Sequence, residues 1–406
     1  TAFVADDKGG SGYYSYWLDM YDYAVQASEL KERAIGNYDI YTGTYYDGYF
    51  YGYNVNLQFI RVDAAQRLEM ATLATAELSC PAQVLDVEVR RQGKSYTADT
   101  LRTLRRQYPE DELWLLMGTD MFLSLQDWRE PQEILRLARV AAFSRTGDPE
   151  QQRFARQKAY LEETFGAQVT VVENPHVVDI SSTRLRQLLP EGREYLPEAV
   201  YGYILRQRLY GTHAELKHLT PEELRPIALS FLKPKRMPHV LGTEQEAIRL
   251  ARRYGADETD ARIAALLHDC TKKLDMEQQL ALCRRYDIRL DELEQHALKL
   301  LHAKTGAAVA HDIFGVKDAV YEAIRWHTTG KPDMTLLEKV IYLADYIEPN
   351  RDFPGVERLR RAIYDDLDKG LLMGLSDTID EMERMGNPVH HDTLEARDFL
   401  LRGEAK

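Results

Sequence analysis

A histidine and an aspartate, His268 and Asp269, interrupt the run ARIAALLHDCTKKL between Ala261 and Leu274, where Ile263, Leu266 and Leu267 recur at helical spacing and mark an apolar face. An imidazole beside a carboxylate on such a face is costly to bury unless both are satisfied, and a metal ion satisfies both. Further candidates stand in other apolar runs: His239 in RMPHV, His302 in LLHAK, His327 in IRWHTTG and Asp345 in YLADYIEP. Each lies inside or at the end of a run that reads as helix. The pattern therefore predicts five helical segments that direct nitrogen and oxygen ligands at a common centre. Four imidazoles and two carboxylates are enough for two metals sharing a bridging carboxylate. His296, His311, His390 and His391 read instead as surface residues, and Cys270 as a small buried residue rather than a ligand.

At 406 residues the chain is long enough for two or three domains, and 44% hydrophobic with 29% charged residues is ordinary for globular protein. A net charge of -13 excludes a general nucleic-acid binder, because there is no basic excess to neutralise phosphates. Cys80, Cys270 and Cys283 are too few and too widely spaced for a disulfide framework or a zinc knuckle, which fits a reducing compartment. No run of eighteen apolar residues and no charged segment leading into an apolar one is present, so a soluble, cytoplasmic protein without a membrane partner is expected.

Three regions differ in pattern. Residues 1–58 hold 12 of the 25 tyrosines, interspersed with Gly and Asp as in YDIYTGTYYDGYFYGYNVN, a composition that favours hairpins. From 59 to 211 the pattern alternates between strand and helix. VDAAQRLEMATLATAEL and TADTLRTLRRQYP read as helices, QVLDVEV as a strand, ELWLLMG as a buried strand, and VAAFSR and QVTVVEN as further strands. Such alternation implies a parallel sheet with crossover helices, a Rossmann-like α/β arrangement. From 212 to 406 the pattern is all-α, opened by the N-cap signature Thr220-Pro221-Glu222-Glu223.

The motifs RMPHVLGTEQEAIRLA, ALLHDCTKKL, LLHAKTGA, AIRWHTTGKPDMTLLEKVIYLADYIEPNRDFPGV and DTLEA, within about 216–406, resemble the HD-domain phosphohydrolases. Among these they resemble the bacterial symmetrical bis(5'-nucleosyl)-tetraphosphatase family. The resemblance implies that His239, His268, Asp269 and Asp345 hold one metal and that His302 and His327 hold a second, with Asp269 bridging. It also implies a pair of divalent or mixed-valence ions, iron by family, and diadenosine tetraphosphate cut to two ADP. Such a centre activates water for attack on phosphorus. Lys272, one helical turn after His268, and Arg351, in the loop after Asp345, are the expected phosphate contacts.

The stretches GKSYTADTL, LMGTDMFLSLQDW, AFSRTG, VDISSTRLR and LPEAVYGYILRQRLYG resemble the nicotinate-nucleotide adenylyltransferase family over roughly 150 residues. Ser181, Ser182 and Thr183 open a helix whose N–H groups and hydroxyls suit a triphosphate, with Arg184 and Arg186 adding charge. By resemblance, Gly118 and Asp120 touch the adenosine side, Tyr96, Thr97 and Trp128 the nicotinate ring, and Arg145 the nucleotide. ATP and nicotinate mononucleotide are the implied ligands, with Mg2+ if this half is active. The chain departs from that family at its H-x-G-H motif. No histidine precedes His176, and Phe50, Tyr51, Gly52 and Tyr53 stand in its place, which predicts a replaced N-terminal stretch and a transfer step without its electrostatic stabilisation.

Overall fold

The structure is a computed structural model, and the residues described are 2–4, 36–46, 49–59, 62–91, 94–143, 148–172, 180 and 182–403. The chain divides into two compact units, residues 1–68 with 84–188, and residues 69–83 with 189–406. That division falls at 188/189, ahead of the 211/212 boundary read from the sequence, because the Glu198–Arg206 helix packs on the Pro221–Leu229 helix.

Among its described residues the first unit contains two sheets. In one, strands Ala2–Val4, Gly36–Tyr46 and Tyr49–Phe59 pair antiparallel, with Tyr46 opposite Tyr49 and Gly43 opposite Gly52. Phe50–Tyr53 thus lies within a hairpin strand, not in a strand-to-helix turn. The other sheet is parallel, in the order Trp114–Gly118, Arg139–Phe143, Val169–Val172. The Pro131–Leu137 and Asp148–Phe165 helices connect its strands, and Phe122, Leu125, Ile134, Val140, Phe154 and Leu161 fill the core beside it. Parallel neighbours need crossovers of this length, so the α/β reading of the alternating pattern holds.

Two local expectations change. QVLDVEV contains no strand among its described residues; its end forms the short Val87–Arg90 helix. The Arg90 N–H donates to Asp86 O at 2.9 Å and Arg90 Nε to Asp86 Oδ2 at 2.7 Å, while Leu85 and Val89 stay exposed. The apolar alternation there faces no sheet, so a local i, i+4 pair decides the conformation. ELWLLMG is a strand but not a buried one: Trp114 is 41% and Leu116 64% exposed, while Met117 is buried. Its apolar run covers one face only.

The second unit is all-α. Among the described residues ten α-helices, from Pro221–Leu229 to His391–Leu401, surround a core rich in small residues, including Ala247, Ala261, Ala264, Ala265, Ala307, Ala310, Ala323 and Ala344, filled out by Leu266, Leu267, Ile324, Ile341 and Leu343. Alanines on facing surfaces let helix axes approach closely, which brings ligands from five helices within reach of one another. The capping box read at Thr220 is formed, with Thr220 accepting from the Glu223 N–H and Glu223 accepting from the Thr220 N–H. Among the described residues no helix is long and apolar enough to cross a membrane.

Candidate metal centre

The five helical runs bring their polar residues to one point. The Glu258–Leu267 helix, capped by Asp257, ends at Leu267, so His268 and Asp269 occupy its C-terminal turn. His327 follows the end of the Asp318–Trp326 helix in the same way. His239 lies in the first turn of Met237–Tyr254, His302 inside Leu298–Phe314 and Asp345 near the end of Leu336–Ile347. All four histidines and Asp269 are buried. Helix C-termini carry partial negative charge, which favours a cation between the two that meet here.

Tautomers follow from the outer hydrogen bonds. His268 Nδ1 donates to Ala265 O at 2.6 Å and His327 Nδ1 to Ile324 O at 2.6 Å, because a carbonyl can only accept. His239 Nδ1 donates to Glu348 Oε1 at 3.1 Å. The Nε2 lone pairs of these rings are therefore free to face inward. His239 Nε2 lies 2.9 Å from Asp345 Oδ1 and 3.3 Å from His268 Nε2, so two nitrogens without a shared hydrogen face each other. His302 Nε2 lies 3.2 Å from Asp269 Oδ1 and 3.1 Å from His327 Nε2. Asp269 Oδ1 is buried without a hydrogen bond. Facing lone pairs and a carboxylate oxygen without a hydrogen bond are what a metal-ligand set presents, and the donor set fits a divalent ion. The ligand atoms of His239, His268 and Asp345 lie within 4.8 Å of one another, as do those of His268, Asp269 and His327.

Burial pushes His268, His302 and His327 below the ordinary imidazole range, keeping them neutral as ligands must be. Burial also opposes charge on Asp269 and Asp345, but the surrounding imidazoles, with Lys272 beside Asp269, hold both carboxyls well below the ordinary range. Three cations reach the same groups from the half-exposed side. Arg236 Nε pairs with Asp269 Oδ2, Lys272 Nζ stands 2.9 Å from His302 Nε2, and Arg351 bonds Asp345 Oδ1 at 2.8 Å.

Arg236 and Glu348 were not singled out in the sequence. Arg236 stands three residues before His239 and Glu348 three after Asp345, the one-turn spacing that singled out Lys272, so the signal was present. Glu348 is buried, accepts from Asn350 N at 2.7 Å and leaves room for no side chain at Gly242, where a Cβ would sit 2.2 Å from its Oε2. Glu348→Gln is expected to weaken metal binding by about 10–100-fold, because the amide no longer fixes the His239 tautomer. Competitive titration with a chelator of known affinity reads this, and unchanged affinity would leave Glu348 a packing residue.

The transferase-type residues are more dispersed. Gly118 ends a strand and leads into the Thr119–Leu123 helix, which carries an exposed Asp120. Thr97 starts the Thr97–Gln107 helix, the Tyr96 ring lies 4.3 Å from the Arg129 guanidinium, and Trp128 is half-buried against the core. Ser182 opens the Ser182–Leu188 helix, and Arg184 and Arg186 lie on it. Arg145, Ser181 and the Thr183 side chain lie outside the described residues.

Helical packing around a His-Asp pair with additional imidazoles and a second carboxylate defines a metal-dependent HD-domain hydrolase. The HD domain family matches residues 236–350, and the cytidylyltransferase-like family matches residues 61–188. The chain is 41% identical over 179 residues, 43% of its own length and 95% of the relative's, to "Bis(5'-nucleosyl)-tetraphosphatase, symmetrical" of Halalkalibacterium halodurans. It is 36% identical over 162 residues, 36% of its own length and 75% of the relative's, to "Probable nicotinate-nucleotide adenylyltransferase" of a Shewanella species. A Mycoplasma genitalium protein, "Probable nicotinate-nucleotide adenylyltransferase/Ap4A hydrolase", aligns at 26% identity over 286 residues, 70% of this chain and 73% of that one. The chain thus belongs to the nicotinate-nucleotide adenylyltransferase family through its first part and to the symmetrical bis(5'-nucleosyl)-tetraphosphatase family through its second.

Proposed function

We propose that the second unit hydrolyses diadenosine tetraphosphate symmetrically to two ADP, in the cytoplasm, with His239, His268, Asp269 and Asp345 holding one metal and His302 and His327 a second. The reading is carried by the convergence of four imidazoles and two carboxylates, with an unbonded Asp269 Oδ1 at their centre. Iron suits the mixed imidazole and carboxylate set. When bound, the metal supplies Lewis-acid polarisation of phosphate oxygens and an activated water.

The remaining work belongs to the chain. Arg236, Lys272 and Arg351 are each engaged with a ligand atom of the site, and they turn to polyphosphate oxygens once those atoms are otherwise committed. Guanidinium groups offer paired N–H donors to phosphate, while Lys272 offers a single compact charge. Burial pushes the Lys272 ammonium downward, so it is poised to pair with an anionic substrate rather than with water. A half-exposed side with three cations admits the charged middle of a dinucleotide, and its symmetric chain then places the scissile bond at the centre.

The first unit acts on this reading as a nucleotide-binding module for ATP and nicotinate mononucleotide, at Tyr96, Thr97, Gly118, Asp120, Trp128, Arg145, Ser181, Ser182, Thr183 and Arg186. Residues 1–175 contain no histidine, so this stretch offers no imidazole to offset charge in adenylyl transfer, with or without Mg2+. The deciding experiment incubates the full chain, loaded with ferrous ion, with diadenosine tetraphosphate and separates the products. ADP as sole product is expected; ATP with AMP would overturn symmetric cleavage, and no product would overturn the substrate.

A further inference from the structure

Three buried polar side chains outside the six ligands, Thr271, Gln279 and Thr305, stand behind the hydrolytic centre. Thr271 follows His268 by three residues and Thr305 follows His302 by three, so each lies one turn beyond a histidine of the centre. Gln279 comes from the Met276–Arg285 helix, which Asp275 caps.

The three side chains close a ring of hydrogen bonds. Gln279 Nε2 donates to Thr271 O at 2.8 Å, which fixes the amide's orientation because a main-chain carbonyl can only accept. Gln279 Oε1 then accepts from the Thr305 hydroxyl at 2.5 Å. The Thr271 hydroxyl, 2.9 Å from Thr305 Oγ1 and 3.0 Å from His302 O, supplies the remaining hydrogen. A buried network satisfied in this way holds its members in one arrangement.

The stretch that the ring holds is loosely built on its own. After the Glu258–Leu267 helix ends, the N–H groups of Cys270, Lys272 and Leu274 donate to the oxygens of Leu267, Asp269 and Thr271, a run of i to i−3 bonds with poorer geometry than α-helical ones. Asp269 and Lys272 lie in that run. The Leu298–Phe314 helix packs close against it at Gly306, where an added Cβ would lie 3.3 Å from His268 O. Resting on the dinuclear reading above, we propose that Thr271, Gln279 and Thr305 are positioning residues for the second metal. The ring sets Asp269 Oδ1 at its 3.2 Å from His302 Nε2 and Lys272 Nζ at 2.9 Å from the same nitrogen. Metal–ligand distances tolerate only about 0.2 Å, so slack between these two elements loosens the ion that joins them. His239 and Asp345 reach the centre from the Met237–Tyr254 and Leu336–Ile347 helices, which the ring does not join, so the first ion depends on it less.

The test loads the full chain with ferrous ion and counts bound iron against chelators of increasing strength. Wild type is expected to hold two ions. Thr305→Val keeps the side-chain shape and removes the hydroxyl; it is expected to bind one of the two ions about 10-fold or more weakly, and the other as wild type does. Thr305→Ser keeps the hydroxyl and is expected to match wild type. A role in packing alone would lower the unfolding temperature of the metal-free chain without separating the two ions. Thr305→Val that holds both ions as tightly as wild type, releases both together, or behaves as Thr305→Ser does would overturn the positioning role. Thr271→Val breaks the ring at its other hydroxyl and decides in the same way should Thr305→Val fail to fold. A wild type holding fewer than two ions would overturn the dinuclear reading itself, and the positioning role with it.

Discussion

Asp269→Ala is expected to remove the metal from the hydrolytic centre and to lower ADP formation from diadenosine tetraphosphate by on the order of 10³-fold or more, a loss of about 4 kcal/mol in transition-state stabilisation. The residue sits where both halves of the ligand set meet. Its Oδ1 is 3.2 Å from His302 Nε2, and its Oδ2 is 3.5 Å from His268 Nε2 and 3.9 Å from His239 Nε2. No other carboxylate of the site approaches three of the four imidazoles so evenly, since Asp345 favours His239 at 2.9 Å over His268 at 4.0 Å. Treating wild type with a strong chelator is expected to give the same loss, restored by ferrous ion in wild type but not in the variant. The variant also frees Arg236 and Lys272 from their shared anion, so added phosphate is expected to bind it no worse than the metal-free wild type. Metal analysis with single-turnover kinetics reads the first effect. A variant that keeps its metal and more than about a tenth of wild-type activity would remove Asp269 from the bridging position.

The centre was legible because each ligand violates the pattern of its own helix. His268, His302 and His327 interrupt apolar runs, and a polar group in such a run either finds a partner or costs several kcal/mol. Arg236 and Glu348 break no apolar pattern. One-turn spacing from His239 and from Asp345 is the signal they carry, while the partners they reach, Asp269 and His239, come from other helices. His390, expected at the surface, is 5% exposed for the same reason, since its burial depends on ion pairs with Asp291 and Glu294, roughly a hundred residues earlier in the chain. In the first unit the parallel sheet followed from alternation of apolar strands and amphipathic helices, yet QVLDVEV shows how weak alternation is without a neighbour. A strand needs a partner edge, whereas the Asp86–Arg90 pair needs only one turn of chain.

The segment LPEAVYGYILRQRLYG sets resemblance against packing, and Gly202→Ala decides between them. Sequence likeness assigns it to the adenylyltransferase part, but the Glu198–Arg206 helix packs on Pro221–Leu229 within the second unit. The contact is closest at Gly202, where an added Cβ would lie 1.8 Å from Pro226 O, 2.1 Å from Pro226 C and 2.6 Å from Ile227 N. These are main-chain atoms, so no rotamer change relieves the overlap and one helix must shift. In a helix interior, alanine is intrinsically favoured over glycine by about 1 kcal/mol. Overpacking against fixed atoms costs about 3 kcal/mol, at the upper end of the usual range, so the steric term wins. Gly202→Ala is therefore expected to lower the unfolding temperature of the second unit in calorimetry while the first unit's transition stays in place, and to leave metal content unchanged at low temperature. A neutral or stabilising result would mean that propensity alone acts at this position. The helix would then be free of Pro226 and would belong with the unit its sequence resembles.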